Sequence, residues 1–335
     1  MGTVSAIAGF AAFVVTALSG RFLIPMLRRL KFGQTILDIG PAWHKKKQGT
    51  PTMGGIMFAI GIAAAVFAGY FAMVVLFPDT AAEITFVEKV RLFAGLGLAF
   101  QFGFVGFLDD YIKVVKKRNL GLSARQKTLM QLVISVAYVL TLYFAGETST
   151  IVDIPFFGQA DFGFIYYPLV IIGMYGFVNA VNLTDGVDGL CGSVTFAAAL
   201  VFIAVMNITG YAGMNIYAVA LAGGCLGFLM WNFYPAKVFM GDTGSMFLGG
   251  AVISLAFGSG MPMILLFAGI IYIAEALSVV LQVISFKSTG KRIFKMSPIH
   301  HHFEMLGWSE IKIVVTFTAI TAAFGAVGVL SVIMR

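Results

Sequence analysis

Apolar positions along this chain do not alternate with polar ones at short period. They run unbroken for about twenty residues, stop at a short polar stretch, and begin again. Segments of that length match the hydrocarbon thickness of a bilayer when wound as helices. Ten such segments are predicted, at 3–27, 53–77, 91–111, 124–146, 163–182, 189–208, 213–233, 244–259, 261–286 and 311–333. In hydrocarbon every backbone N–H and C=O must be satisfied internally, so runs this long mean helices rather than barrel strands. The fold class expected is therefore an all-α polytopic membrane protein, one transmembrane domain over 1–335. Two local features qualify the pattern. The loop 147–162 alternates loosely around Pro155 and Gly158 and predicts a small β-hairpin, and Pro262 and Gly269 are expected to bend the ninth span.

Composition agrees: 59% of the 335 residues are hydrophobic and 11% charged, less than half the usual charged share of about 25%. These values exclude a soluble domain. Cys191 and Cys225 lie in or beside apolar runs without metal or redox spacing, and are read as packing residues. Gly223 and Gly227 form a GxxxG pair that hints at close helix packing.

Charge sets the orientation. All but Lys89, Arg91 and Arg335 of the 22 Lys and Arg fall in or beside the loops after spans 1, 3, 5, 7 and 9. The positive-inside rule puts those loops in the cytoplasm and both termini, with the hairpin, on the extracytoplasmic side. The inner loops 28–52, 112–123, 183–188, 234–243 and 287–310 then carry the candidate chemistry.

That chemistry is acidic. Asp109, Asp110, Asp185, Asp188 and Asp242 all sit where a span meets an inner loop, a costly place for a carboxylate without a task. In FLDDYIK, adjacent Asp109 and Asp110 point about 100° apart on a helix, so one can face a ligand while the other orients it. Lys113 is expected on or near the face of Asp110; a solvated helix end with an Asp–Lys pair is the alternative. In NAVNLTDGVDGL, Asp185 and Asp188 are three apart, with Asn179 and Asn182 nearby and glycines that permit close backbone approach; Asp185 as a cap for the next helix is the alternative. In VFMGDTGS, Asp242 precedes a helix start whose free N–H groups suit a phosphate, unless Asp242 or Thr243 simply caps it. Asn232 adds a polar group near the end of the seventh span.

Two further loops are basic. SPIHHHFE holds His300, His301 and His302, read as donors to phosphate or sugar or as a base; a zinc site is the alternative, although consecutive side chains diverge. GTPTMGG, 49–55, leads into the second span, where Lys47 and Thr52 could reach a phosphate. Glu275 and Gln282 lie inside the ninth span on about one face. A carboxylate cluster alone would repel a phosphate, and Mg²⁺ between the two resolves the repulsion. Apolar helices around such a site supply a route for a lipid substrate.

Together and in order, GTPTMGG, FLDDYIK, NAVNLTDGVDGL, VFMGDTGS and PIHHHFE resemble the phospho-N-acetylmuramoyl-pentapeptide transferases, within the polyprenyl-phosphate N-acetylhexosamine-1-phosphate transferase superfamily. The resemblance implies ten transmembrane helices, a homodimer in the bacterial inner membrane and a cytoplasmic active site. It implies transfer of phospho-MurNAc-pentapeptide from its UDP carrier to undecaprenyl phosphate, giving lipid I and UMP, with Mg²⁺ required and no nucleic acid as partner. Catalytic roles would fall to Asp109, Asp110, Asp242, His300 and His301. Asp242 would contact Mg²⁺, with Asp109 and Asp110 as further candidate ligands, and Asp109 would lie nearest the lipid phosphate. Lys47, Thr52, Lys113, Asn182, Asp185, Asp188, Asn232, Phe239, Gly241, Ser245, Gln282 and His302 would line the substrate site. Two other readings fit membrane helices. A transporter would place its polar residues at mid-membrane. A CDP-alcohol phosphotransferase would need the sequence DGxxAR, whereas Asp188 is followed by Gly189, Leu190 and Cys191.

Overall fold

The computed structural model describes residues 2–29, 47–116 and 120–335. Lys31, Lys45, Lys46, Lys117 and Arg118, counted above among the inner-loop charges, lie outside the described residues, as do parts of the loops 28–52 and 112–123. The described chain is helical apart from one hairpin. Its long helices are α1 (Gly2–Arg29), α2 (Gly55–Leu76), α4 (Phe86–Val115), α5 (Ala124–Phe144), α6 (Tyr166–Thr184), α7 (Leu190–Thr209), α8 (Ala212–Asn232), α9 (Gly241–Gly258), α11 (Ile270–Thr289) and α13 (Glu310–Ile333). Short helices α3 (Pro78–Glu83), α10 (Leu265–Ala268) and α12 (Ile299–Glu304) join them.

Nine of the long helices are long and apolar enough to cross a membrane. The tenth, α9, opens on Gly–Asp–Thr–Gly–Ser and is instead enclosed by its neighbours, with Ser245 through Ala256 all buried. It nevertheless runs the full way between the two ends. Its first turn meets the inner carboxylates, while the 3₁₀ turn after it, Pro262–Ile264, packs on the hairpin strand β1 (Ile151–Ile154). β1 pairs antiparallel with β2 (Gly158–Asp161), Ile151 opposite Asp161, as the loose alternation predicts. The C-terminal Arg335 reaches the hairpin at Asp153, 2.9 Å away. Gly2 and Ser5 share a cavity with Thr80 and Gly210, at the same end. Both termini and the hairpin therefore occupy one end of the bundle and the carboxylates the other.

Helix boundaries follow local chemistry. Thr85 and Glu88 form a capping box before α4, and Ser123 with Gln126 another before α5, each satisfying N–H groups that a helix start leaves orphaned. α4 thus begins five residues earlier than the apolar run alone suggests. Its 30 residues span about 45 Å, enough to carry Asp109 and Asp110 past the hydrocarbon edge. The expected bend in the ninth span is a full break: α10 ends and α11 begins at Gly269.

Small residues set the two closest helix contacts. On α4, a Cβ at Gly106 would collide with the Asp242 carbonyl, so this glycine lets α4 and the start of α9 touch backbone to backbone. On α8, the GxxxG pair faces α1: a Cβ at Gly223 would run into the Gly9 carbonyl, and one at Gly227 would lie 2.6 Å from the Phe13 carbonyl. Gly223→Leu is expected to destabilise the protein by about 1–3 kcal/mol or more through overpacking, read as a lower thermal unfolding midpoint in detergent. Gly173→Leu, where a Cβ meets nothing within 4 Å, is the control expected to leave the midpoint in place. Equal midpoints for both variants would contradict the α1–α8 seam.

Candidate active site

The site forms where the inner ends of α4, α5, α6 and α9 meet. Asp110 sits at the centre, 4% exposed. One carboxylate oxygen accepts the backbone N–H of Thr243 at 2.9 Å and its hydroxyl at 2.7 Å, and the other accepts the Asp242 N–H at 3.3 Å. Asp110 thus caps α9 from a different helix, with its charge on the positive end of the helix dipole. Neither Asp242 nor Thr243 caps its own helix; the N-cap position is Met240, which makes no side-chain cap. The first-turn N–H groups of Asp242 and Thr243, expected to be free for phosphate, are spent on Asp110.

Asp109, one residue back, points elsewhere, as the helical angle requires. It accepts the Leu122 N–H at 2.8 Å and pairs with Lys113 at 2.6 Å. Lys113 was expected to share a face with Asp110 at a spacing of three; its ammonium instead joins Asp109 at a spacing of four and lies 3.3 Å from Asp242. The second Asp242 partner is Lys127, from the first turn of α5, at 2.9 Å. Sequence reasoning counted Lys127 only as inner-face charge. The other Asp242 oxygen accepts the Asn182 amide at 3.0 Å, which also donates to Ser245 at 2.8 Å.

Asp109, Asp110 and Asp242 each bring an oxygen within 4.8 Å of the others. Three carboxylates at that spacing suit a hard divalent cation with oxygen preference. Asp110 already accepts three hydrogen bonds, so Asp109 and Asp242 have the greater capacity left for a metal. In the structure the lysines balance them.

A second cluster is built on Lys47. Its ammonium lies 2.7 Å from Asp188 and 2.6 Å from Glu310, the first residue of α13. Glu310 also accepts the Asp188 N–H, and Asp188 accepts the Ala236 N–H. Burial alone would lower the Lys47 pKa, but the hydrogen bonds and charges of Asp188 and Glu310 outweigh it and raise the value. Folded-state raising of a lysine stabilises in full below the unfolded value near ~10.5 and is lost only as pH rises through the folded value. Lys47→Met is therefore expected to cost on the order of 1–3 kcal/mol, discounted for partial exposure. The deficit against wild type should stay level from about pH 6 to 9 and shrink above about 10.5. Unfolding midpoints across pH check it; a deficit that vanishes at neutral pH would contradict the clamp.

Asp185 lies between the two clusters. Burial first, and then the charges of Asp242, Asp110 and Asp188, push its carboxyl well above the usual range. It does not cap α7, whose N-cap is Gly189 in the left-handed region.

Several expected substrate groups are committed within the protein. The Asn232 amide joins the Gly189 N–H to the Val238 carbonyl, and the Gln282 amide holds the backbone of Ile293 and Phe294. Both brace loops and have their polar ends in use. Phe239 clasps the GTPTMGG loop through backbone bonds to Pro51 and Gly54. Gly241 has φ +69°, and a Cβ there would press on Asp110 and on buried Thr52. The three histidines have different partners, although the rings of His300 and His301 lie together with centroids 4.1 Å apart. His300 is 1% exposed and 3.1 Å from Glu275; His301 lies 2.6 Å from Glu304; His302 accepts the Lys295 N–H. His300 is thus buried, with its ring between Glu275 and Gly186.

The chain matches known proteins along most of its length. The model for Glycosyl transferase family 4 matches residues 92–260. The phospho-N-acetylmuramoyl-pentapeptide-transferase signature 1 matches residues 47–58, which hold Lys47, Thr52 and the glycines entering α2. A phospho-N-acetylmuramoyl-pentapeptide-transferase of Clostridium perfringens (strain 13 / Type A) is 48% identical over 314 residues, covering 93% of this chain and 94% of that protein. One of Heliobacterium modesticaldum is 48% identical, covering 95% of this chain and 96% of that protein. One of Desulforamulus reducens is 46% identical, covering 98% and 96%.

Proposed function

Because this chain belongs to the phospho-N-acetylmuramoyl-pentapeptide-transferase family, we propose that it transfers phospho-MurNAc-pentapeptide from a UDP carrier to undecaprenyl phosphate, releasing UMP and forming lipid I. The observation that carries this reading is the union of three carboxylates and two lysines at one end of a bundle of membrane-crossing helices. Anionic diphosphate chemistry and access for a lipid meet there, and the polar cluster lies at the bundle end rather than at mid-membrane, as a transporter would need.

Direct attack suffices. An oxygen of the lipid phosphate bonds to the phosphorus that carries the sugar; the bond from that phosphorus to the bridging oxygen breaks, and UMP leaves with the electron pair. Lys113 and Lys127 stand where they can hold phosphate oxygens in line. Asp109 positions the lipid phosphate, and Asp185, Asn182 and Lys47 border the donor. Asp242, with Asp109, would hold Mg²⁺. Bound there, the ion supplies charge neutralisation for the diphosphate and for the leaving UMP. The enzyme would act as a homodimer in the bacterial inner membrane with its site in the cytoplasm, the side that the loop charges favour.

UMP release by the purified protein, supplied with UDP-MurNAc-pentapeptide and undecaprenyl phosphate, tests the reading. Release that needs the lipid and Mg²⁺, and stops with EDTA, is expected. Trapping a radiolabelled sugar-phosphate on the enzyme without lipid acceptor would replace direct attack by a covalent route.

A further inference from the structure

Glu275 lies in α11 with no exposure at all. A carboxylate buried inside a membrane-crossing helix is costly unless paired. The partner here is His300. Its Nδ1 lies 3.1 Å from Glu275 Oε2, and its backbone N–H donates to the same oxygen at 3.4 Å. Among the described residues, Glu275 Oε1 and both ring nitrogens of His300 have no hydrogen-bond partner, so the two side chains are in close contact without a saturated network. The far edge of the ring points at Gly186: a Cβ at that glycine would collide with Nε2 and stand 2.7 Å from Cε1. Gly186 lies between Asp185 and Asp188, in the loop that ends α6 and joins the two clusters of the site. The loop that leads into α12 is also tied to α11, because Gln282, seven residues after Glu275, holds the backbone at Ile293 and Phe294.

We propose that Glu275 is a positioning residue: it fixes His300 so that the imidazole packs beneath Gly186 and holds the Asp185–Asp188 loop in the shape that receives the sugar-nucleotide donor. This rests on the reading that the loop borders the donor. A line of contact then runs from the interior of α11 through α12 to the donor loop, and Gly186 is glycine because the ring takes the space of its side chain. Glu275 acts through His300 and the loop rather than on the donor itself.

Glu275→Gln, close in volume, is the first variant, with His300→Gln and Gly186→Ala as independent ways to disturb the same contact. Hydrogen–deuterium exchange over 183–190 reads the loop without any turnover. Faster exchange there in Glu275→Gln, with 241–246 unchanged, is expected; unchanged exchange in the loop overturns the proposal. In kinetics, Glu275→Gln should raise the donor KM about tenfold and leave the KM for the lipid phosphate as in wild type. The double variant with His300→Gln should be no worse than His300→Gln alone, because both remove one contact. Multiplying effects, or equal rises in both KM values, would overturn it. If wild type releases no UMP, the transferase reading fails, and the exchange result still decides whether the strut exists.

Discussion

Asp242→Asn is expected to lower kcat for UMP release on the order of 10³-fold or more while the protein stays folded. Asp242 is the acceptor for Lys113, Lys127 and Asn182 at once, and removing its charge leaves two ammonium groups without their shared counterion. It would also remove one of the two groups proposed above to hold a metal, and loss of one preorganised electrostatic group in a transferase site costs about 10²–10³ even without a metal. Stability should fall less than for loss of Asp110, because the cap on α9 uses the backbone N–H of residue 242 rather than its side chain and Lys113 keeps Asp109 as a partner. Turnover with saturating donor and lipid, beside the unfolding midpoint in detergent, separates the two effects. A folded variant retaining a tenth of wild-type kcat would remove Asp242 from the chemistry.

Asp110→Ala is expected to fail differently, losing stability and activity together. Its carboxylate satisfies two backbone N–H groups and one hydroxyl at the first turn of α9. Losing a cap costs about 0.5–2 kcal/mol, and each buried donor left unpaired about 1–3, so a total near 3–5 kcal/mol is expected. Asp110→Asn keeps one acceptor oxygen and should lose less. An unfolding midpoint for Asp110→Ala equal to wild type would show that the interhelical cap contributes nothing.

Much of this was legible before any coordinates. Run length marked the helices, alternation around Pro155 and Gly158 marked the hairpin, and Pro262 with Gly269 marked the break. The angle between adjacent helical residues foretold that Asp109 and Asp110 would face different partners; it did not foretell that the rings of His300 and His301 would lie 4.1 Å apart. Pairings across long stretches of sequence were not legible. Lys127 resembles any inner-face lysine until α5 brings it to Asp242. Glu310, after Ser309, reads as the usual acidic first turn of a helix, yet it holds Lys47. Asn232 and Gln282 carry the right chemistry for a ligand, and only the fold reveals that loop backbone already uses their amides. The burial of His300 was not legible for a related reason: sequence shows which groups can do chemistry, while only the fold shows which of them it encloses.

The enclosure of α9 has a consequence for how the chain is made. Buried over Ser245 through Ala256, it faces neighbouring helices rather than lipid, and its polar first turn needs Asp110 of α4 to satisfy its backbone. α4, α6 and α8, on which it packs, all precede it in the chain. Membrane entry of α9 is therefore a docking event onto a waiting surface rather than an independent partition, and the order of the spans along the gene doubles as an assembly order. Moving α9 ahead of α4 by circular permutation would strand the helix that carries Asp242 before its partners exist.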